Sequence, residues 1–200
     1  MNSILDTVFS TPQSDAGQAL INVLQDGICA DIQFALTHGR NRAALILIYS
    51  GIDAMSSLER PDSPSKVKEY FVSWVETYMM FNNGKVTGVE LFAARCGIVH
   101  TYGPISDLSK RRKARLIGYT VGGGPDIMDS PFVEDLVLLS VEGLASAFFR
   151  GIVSYLEVLK TDTKKRLIVT PRLLLMFQEL KLDTELKLAP NLAQQKFGRE

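Results

Sequence analysis

The sequence predicts a mainly α-helical, single-domain protein, and three observations support this. Apolar residues recur at helical intervals through most of the chain, as between Val67 and Tyr78. Short turn segments such as FNNGK at 81–85 separate the helical stretches, which is typical of an up-and-down bundle. The 200 residues, with 46% hydrophobic and 22% charged, have the composition of one ordinary globular domain.

Four helices are predicted in the first half of the chain. The first runs from about Asp15 to Thr37 and ends at Gly39. The second, from residue 40 or 41 to about 58, is apolar on most of its circumference and is expected at the centre of the bundle. Ser65 is placed to cap the third helix, and Thr87 to cap the fourth, which stops before Gly103. The predicted bundle core covers about 15–102.

The second half begins with a different pattern. RLIGYTV and LVLLSV are β-prone runs separated by GGGPDIMDSP, which predicts a small β-hairpin insertion at about 115–141. Additional C-terminal helices are expected within about 142–182, the last from about Thr170 with Pro171 in its first turn. A loose tail is expected at 189–200.

Composition and charge exclude several classes of function. Lys and Arg number 22, and so do Asp and Glu, so the chain as a whole has no attraction to nucleic acid or to an anionic membrane. Cys29 and Cys96 lie far apart, and there are only two histidines, so neither a disulfide scaffold nor a metal site is expected. The start of the chain does not read as a secretory signal, and charges interrupt its most apolar stretch. A cytoplasmic protein without membrane span or cofactor is predicted.

The segment from Arg95 to Tyr102 is the main candidate for chemistry. At about 100° per residue, Arg95 and Tyr102 share a helix row with Leu91 and Ile98, whereas His100 lies about 140° away. An arginine in an apolar row requires a partner, because unpaired charges avoid apolar surroundings. Arginine donors suit phosphate oxygens and histidine moves protons near neutral pH, so the pair suits metal-independent cleavage of RNA.

Two partners for Arg95 remain open at this point. Asp53, inside the apolar second helix, is able to pair with Arg95 or to support a polar site. Alternatively, a symmetric homodimer places two copies of the fourth helix side by side, with Ala93 and Gly97 allowing close approach. A catalytic pair is expected to face a solvent-accessible groove, whereas an interface pair is expected to be occluded.

These residues resemble a known family. Arg95 to His100 match the Arg-x4-6-His motif of the HEPN superfamily, and the extension to Tyr102 is similar to the Arg-x4-His-x-Tyr form of HEPN toxins in HEPN/MNT pairs. The second helix, with AALILIYSGIDAM, also resembles HEPN-like proteins, so the likeness covers roughly Ala30 to Tyr102.

The resemblance implies a helical bundle of HEPN type, a homodimer formed through the motif helix, and RNA endonuclease activity in active members. Arg95 would position the scissile phosphate, His100 would act as acid or base, and Tyr102 would support the site or be modified by an antitoxin nucleotidyltransferase. Active members often have a polar residue after the arginine, where this chain has Cys96. A stress, defence or toxin–antitoxin ribonuclease and a non-catalytic dimeric interaction module therefore both remain open.

A basic run follows the motif and offers contacts to an RNA backbone. Its members are Lys110, Arg111, Arg112, Lys113 and Arg115. A solvated basic loop explains the same run. The triple glycine at 122–124 lacks the Lys-Ser/Thr of a phosphate-binding loop and is interpreted as a flexible turn.

Overall fold

The computed structural model describes residues 21–60, 66–101, 103, 107–173 and 176. A π-helical segment, Ile21–Cys29, leads into the first α-helix. The α-helices are α1 (Ala30–Thr37), α2 (Asn41–Ser57), α3 (Val67–Tyr78), α4 (Gly88–Thr101), α5 (Asp107–Lys110), α6 (Val141–Thr161) and α7 (Thr163–Leu173). The strands are β1 (Leu116–Thr120), β2 (Ile127–Asp129) and β3 (Leu136–Ser140). The mainly helical class is therefore confirmed.

Local sequence signals fix two predicted helix ends. Gly39 has a φ of +64°, the left-handed conformation that glycine adopts without strain, and it follows α1 directly. Thr87 and Glu90 form a capping box at the start of α4. The Thr87 amide donates to Glu90 Oε2 at 2.7 Å, and the Glu90 amide donates to Thr87 Oγ1 at 3.2 Å. Both predicted ends are confirmed.

One hydrophobic core joins the first helices to the later ones. Helix α6 packs on α2 and α3, with Phe148, Ile152 and Tyr155 almost completely buried. The ring of Tyr155 makes an edge contact with Tyr78 of α3, with centroids 5.0 Å apart. The hydrophobic core thus extends beyond the predicted 15–102, because α6 buries its apolar face against α2 and α3.

The predicted β-hairpin is wrong. The two predicted strands, β1 and β3, pair in parallel, and β2 adds to the other side of β3 in antiparallel orientation, giving the order β1-β3-β2. Two parallel neighbouring strands need a connection that returns the chain to the end of the sheet at which the first strand began. Residues 121–135 form this connection between β1 and β3. Strand β2 lies inside this connection, and its three residues are too few to show the alternation that predicts a strand.

The C-terminal helices also differ from the prediction. The last described helix starts at Thr163 rather than near Thr170, so Pro171 lies near its C-terminal end and not in its first turn. Asp162 starts the helix early, because its side chain accepts a hydrogen bond from the Lys165 amide at 2.9 Å. Arg172 then fixes α7 against the end of α2 by donating to the carbonyl of Leu58 at 2.9 Å.

Several predictions fall on residues outside the described ranges. They are the start of the first helix at 15–20, the Ser65 cap, Tyr102, the helix beyond 176 and the tail at 189–200. Within the described ranges, no helix has the length and apolarity needed to cross a membrane.

Candidate functional site

Helices α2 and α4 bring an acidic and a basic side chain together in a half-buried position. Arg95 Nε donates to Asp53 Oδ2 at 2.7 Å, and Arg95 Nη2 lies 2.6 Å from the same oxygen. The two side chains are 18% and 24% exposed. The sequence-based pairing of Asp53 with Arg95 is therefore confirmed, and the neighbouring helix of the same chain supplies the counter-charge.

Burial and pairing act in opposite directions on the two groups. Burial raises the pKa of the Asp53 carboxyl, and the Arg95 guanidinium offsets only part of this effect. Burial acts to lower the pKa of Arg95, but the bond to Asp53 outweighs it, so the pKa of Arg95 is raised. Arg95 therefore keeps its positive charge throughout the physiological range.

Arg95 also contacts His100. The distance from Arg95 Nη1 to His100 Nε2 is 2.8 Å. An arginine only donates, so His100 Nε2 accepts, and the ring in this contact is neutral with its proton on Nδ1. The structure thus joins Asp53, Arg95 and His100 in one chain of contacts, with Arg95 in the middle.

Helical angles alone did not predict the Arg95–His100 contact. They place the two Cα–Cβ directions far apart, but the long arginine side chain spans the separation. The row of Arg95 faces the interior of the chain, since Leu91 is completely buried. His100, by contrast, is exposed. The histidine is therefore accessible to a ligand, as a catalytic role requires.

The small residues of α4, Ala93 and Gly97, are covered within the single chain. Ala93 is 2% exposed and Gly97 is buried, so this chain already covers both. In the single chain these small residues therefore serve close packing. Dimerisation through the helix that carries Arg95 and His100 stays a prediction.

The basic run separates into two parts. Lys110, Arg111, Arg112 and Lys113 are exposed. Arg115 instead lies at the start of α4, where Nε is 2.5 Å from Glu90 Oε1 and Nη1 is 3.0 Å from Asp129 Oδ1. The basic run therefore follows the C-terminal end of α4 in sequence, but its last member, Arg115, contacts the first turn of α4.

Glu90 is a site residue that the sequence analysis did not select. It is almost completely buried, and it joins the cap of α4 to Arg115. Burial acts to raise its pKa, but hydrogen bonds from Arg115 and Thr87 outweigh this, so the pKa of Glu90 is lowered. The spacing Thr87-x-x-Glu90 is a capping-box signal that could have identified it.

Chemically, the Asp53–Arg95–His100 group combines a fixed cation with a neutral, exposed imidazole. Such a group is able to bind an anion and to accept a proton beside it. Within the described ranges, no three His, Cys, Asp or Glu side chains are grouped so that they could hold a metal ion. Tyr102, the predicted supporting residue, lies outside the described residues.

Comparisons with known proteins add no relative. No protein-family model matches the chain, and neither the curated proteins nor the solved structures gave a match. The class that the fold itself defines is a mainly helical protein with a small mixed sheet.

Proposed function

We propose that this chain is a HEPN-like protein that binds RNA and cleaves it as a metal-independent endoribonuclease, with Arg95 and His100 as the catalytic residues. The observation that carries the proposal is the 2.8 Å contact between Arg95 Nη1 and the exposed His100 Nε2. It puts a fixed phosphate-binding donor and a proton acceptor at one point on the surface. Stress response, defence and toxin–antitoxin function are the settings in which we expect such an activity.

In the proposed reaction, phosphate competes with His100 for the guanidinium. A phosphate oxygen takes the Nη1–H donor, and His100 Nε2 is then free to accept the proton of the adjacent 2′-hydroxyl. The 2′ oxygen forms a bond to phosphorus while the bond from phosphorus to the 5′ oxygen breaks, and the leaving oxygen takes a proton from water. Asp53 keeps Arg95 in place, which makes it a positioning residue.

We further propose that the protein acts in the cytoplasm as a homodimer that uses the α4 region. The exposed part of the basic run, 110–113, would hold the RNA backbone on either side of the cleaved bond. An antitoxin nucleotidyltransferase acting on Tyr102 is the proposed regulatory partner. These partners follow from the motif at 95–102 and its resemblance to HEPN toxins.

A non-catalytic dimeric interaction module is the second candidate, and one observation favours it. The ion pair with Asp53 already occupies two of the guanidinium nitrogens of Arg95. An arginine that only stabilises the contact between α2 and α4 would make the same bonds. Activity, and not geometry, separates the two candidates.

The test incubates purified protein with total RNA and with single-stranded oligonucleotides in excess EDTA. The variants are Arg95→Ala, His100→Ala and, as the matched control, His38→Ala, whose exposed histidine lies on α1's C-terminal end. Circular dichroism establishes that all variants fold. We expect cleavage by the wild type and by His38→Ala, and a loss of at least about 100-fold in the other two.

Absence of cleavage by the wild type would contradict the enzymatic proposal. Light scattering after size exclusion then tests the second candidate. A dimer that Arg95→Ala weakens would identify an interaction module, and a monomer at micromolar concentration would contradict both.

A further inference from the structure

A second site lies on α6, outside the group formed by Asp53, Arg95 and His100. It is a cavity of about 520 Å³ between α6, the segment that follows α3 and the π-helical segment. This volume falls within the range of roughly 300–1,000 Å³ that is usual for small-molecule sites. Its lining residues are Cys29, Tyr78, Met80, Phe81, Asn82, Phe149, Arg150, Ile152, Val153 and Ser154.

The walls of the cavity are mainly apolar. Phe81 and Phe149 are only half-buried, and Met80 is 65% exposed, so apolar surface remains open to solvent here. Burial raises the pKa of the Cys29 thiol to about 12, so this side chain is neutral and contributes to the apolar wall. A ligand with an apolar body would gain by covering these side chains.

Among the described residues of the lining, Arg150 supplies the one cationic group. Its Nη2 donates to the Met80 carbonyl at 2.7 Å, which fixes the guanidinium next to the apolar walls. A guanidinium has five N–H donors in a rigid fork, and this bond uses one of them. A fixed arginine therefore presents further donors to an anionic head group, and Asn82 lines the same cavity.

We propose that this cavity binds a single-chain amphipathic anion, a free long-chain carboxylate, with the alkyl chain against Phe81 and Phe149 and the carboxylate on Arg150. Two observations favour this occupant. An apolar cavity with one arginine matches one chain with one anionic head. Attachment to an anionic membrane surface usually involves clusters of 4–8 basic residues, whereas the described residues of this lining include a single arginine.

The single tryptophan of the chain provides a reporter for this site. The Trp74 ring lies behind the cavity wall, with its centroid 5.6 Å from that of Tyr78. The experiment titrates the full chain with dodecanoate below its micelle concentration, following Trp74 fluorescence and the heat of binding. Dodecan-1-ol, with the same chain length and no charge, is the matched ligand.

We expect saturable binding of one dodecanoate per chain, and binding of dodecan-1-ol at least about tenfold weaker, the size of one charge-assisted hydrogen bond. Arg150→Met should weaken dodecanoate binding by a similar factor and leave dodecan-1-ol unchanged. Val153→Phe should weaken both ligands by filling the cavity. Lys160→Met, an exposed cation near the other end of α6, is the control and should bind like the wild type.

Three outcomes would overturn the proposal. They are the absence of saturable dodecanoate binding, equal affinity for the two ligands, and unchanged dodecanoate binding in both Arg150→Met and Val153→Phe. Binding to anionic phosphatidylglycerol vesicles without binding to dodecanoate would assign the surface to membranes instead. The comparison of the two ligands uses only wild-type protein, so it stays decisive if a variant fails to fold.

Discussion

The hydroxyl of Tyr49 lies 2.7 Å from the hydroxyl of Tyr119, and this bond connects the central part of α2 to strand β1. Tyr49 is completely buried, and burial raises the pKa of its hydroxyl well above the usual range. Burial also raises the pKa of the Tyr119 hydroxyl, so both groups stay protonated and are hydrogen-bonded to each other. This polar contact links the sheet to the bundle, in addition to the buried apolar side chains of the strands.

Tyr119→Phe should destabilise the fold by about 1–3 kcal/mol, because it leaves the Tyr49 hydroxyl buried without its partner. The double variant Tyr49→Phe/Tyr119→Phe should be closer to the wild type than Tyr119→Phe alone, since it removes both polar groups. Urea unfolding at neutral pH measures the differences. Additive losses in the double variant would contradict this account.

The contact between Arg95 and His100 predicts the tautomer of the histidine. In its neutral form, His100 should carry its proton on Nδ1, because Nε2 accepts from Arg95. Long-range ¹H–¹⁵N NMR correlations distinguish the two ring nitrogens. Arg95→Ala should change the His100 pattern and leave His38, whose Nδ1 contacts the Phe34 carbonyl, unaffected. A neutral His100 protonated on Nε2 in the wild type would refute the contact.

The ion pair of Asp53 and Arg95 should be energetically coupled. Asp53→Asn should lower the free energy of unfolding by about 1–3 kcal/mol, because it leaves the half-buried guanidinium without a counter-charge. Arg95→Gln should act similarly, and the double variant should cost less than the sum of the two. A double-mutant cycle from urea unfolding measures the coupling. The exposed pair of Lys160 and Glu157 is the control and should show a coupling below about 1 kcal/mol.

Glu90 should make the stability of the protein depend on acid pH. Its pKa in the folded state lies below the ordinary value, so ionised Glu90 stabilises the fold at neutral pH. This contribution begins to decrease when the pH drops below the ordinary carboxyl pKa of 4.5. It is lost as the pH falls through the pKa of Glu90 in the folded state. Glu90→Gln should therefore be less stable than the wild type at pH 7, and the difference should shrink on acidification. Equal differences at pH 7 and pH 3 would contradict the prediction.

Gly51 should not tolerate a methyl group. A Cβ at this position would lie 2.5 Å from Phe148 Cζ and 3.1 Å from Ile28 Cγ2, inside the core. Gly51→Ala should cost about 1–3 kcal/mol despite the better helix propensity of alanine. Ser50→Ala, at the exposed neighbouring position, is the control. The double variant Gly51→Ala/Phe148→Leu should recover part of the loss, because the smaller side chain removes the ring that the new methyl group would meet. Thermal unfolding of the wild type, the two single variants Gly51→Ala and Ser50→Ala, and the double variant measures these differences.

The helices of the first half could be predicted because their signals are local. The turn glycine at 39 and the capping pair of Thr87 and Glu90 act within a few residues of themselves. The pairing of Asp53 with Arg95 could be predicted for a different reason. A carboxylate in an apolar helix and an arginine in an apolar row each need a partner, and the chain offers few.

The pairing of the strands and the contacts of the Arg95 side chain could not be predicted in the same way. LVLLSV is apolar without alternation, which fits a central strand but does not say whether its neighbour runs parallel or antiparallel. The choice depends on where residues 121–135 carry the chain between the two strands, and contacts between distant segments decide this. Similarly, Asp126 contributes to the turn at 82–84 by accepting from the Asn82 amide at 2.9 Å, across 44 positions of sequence.

The sequence by itself therefore determined the helical class and the main helix ends of the first half, because periodicity and caps act over a few positions. It also predicted Arg95 and His100 as candidates for chemistry, from the properties of their side chains alone. Only the tertiary structure decided that β1 and β3 are parallel, that Ala93 and Gly97 are covered by this chain and that Arg95 connects Asp53 to His100. These features depend on which surfaces meet when the core forms. The hydrophobic effect is non-directional, so the pattern of apolar residues does not tell which distant segments pack against each other.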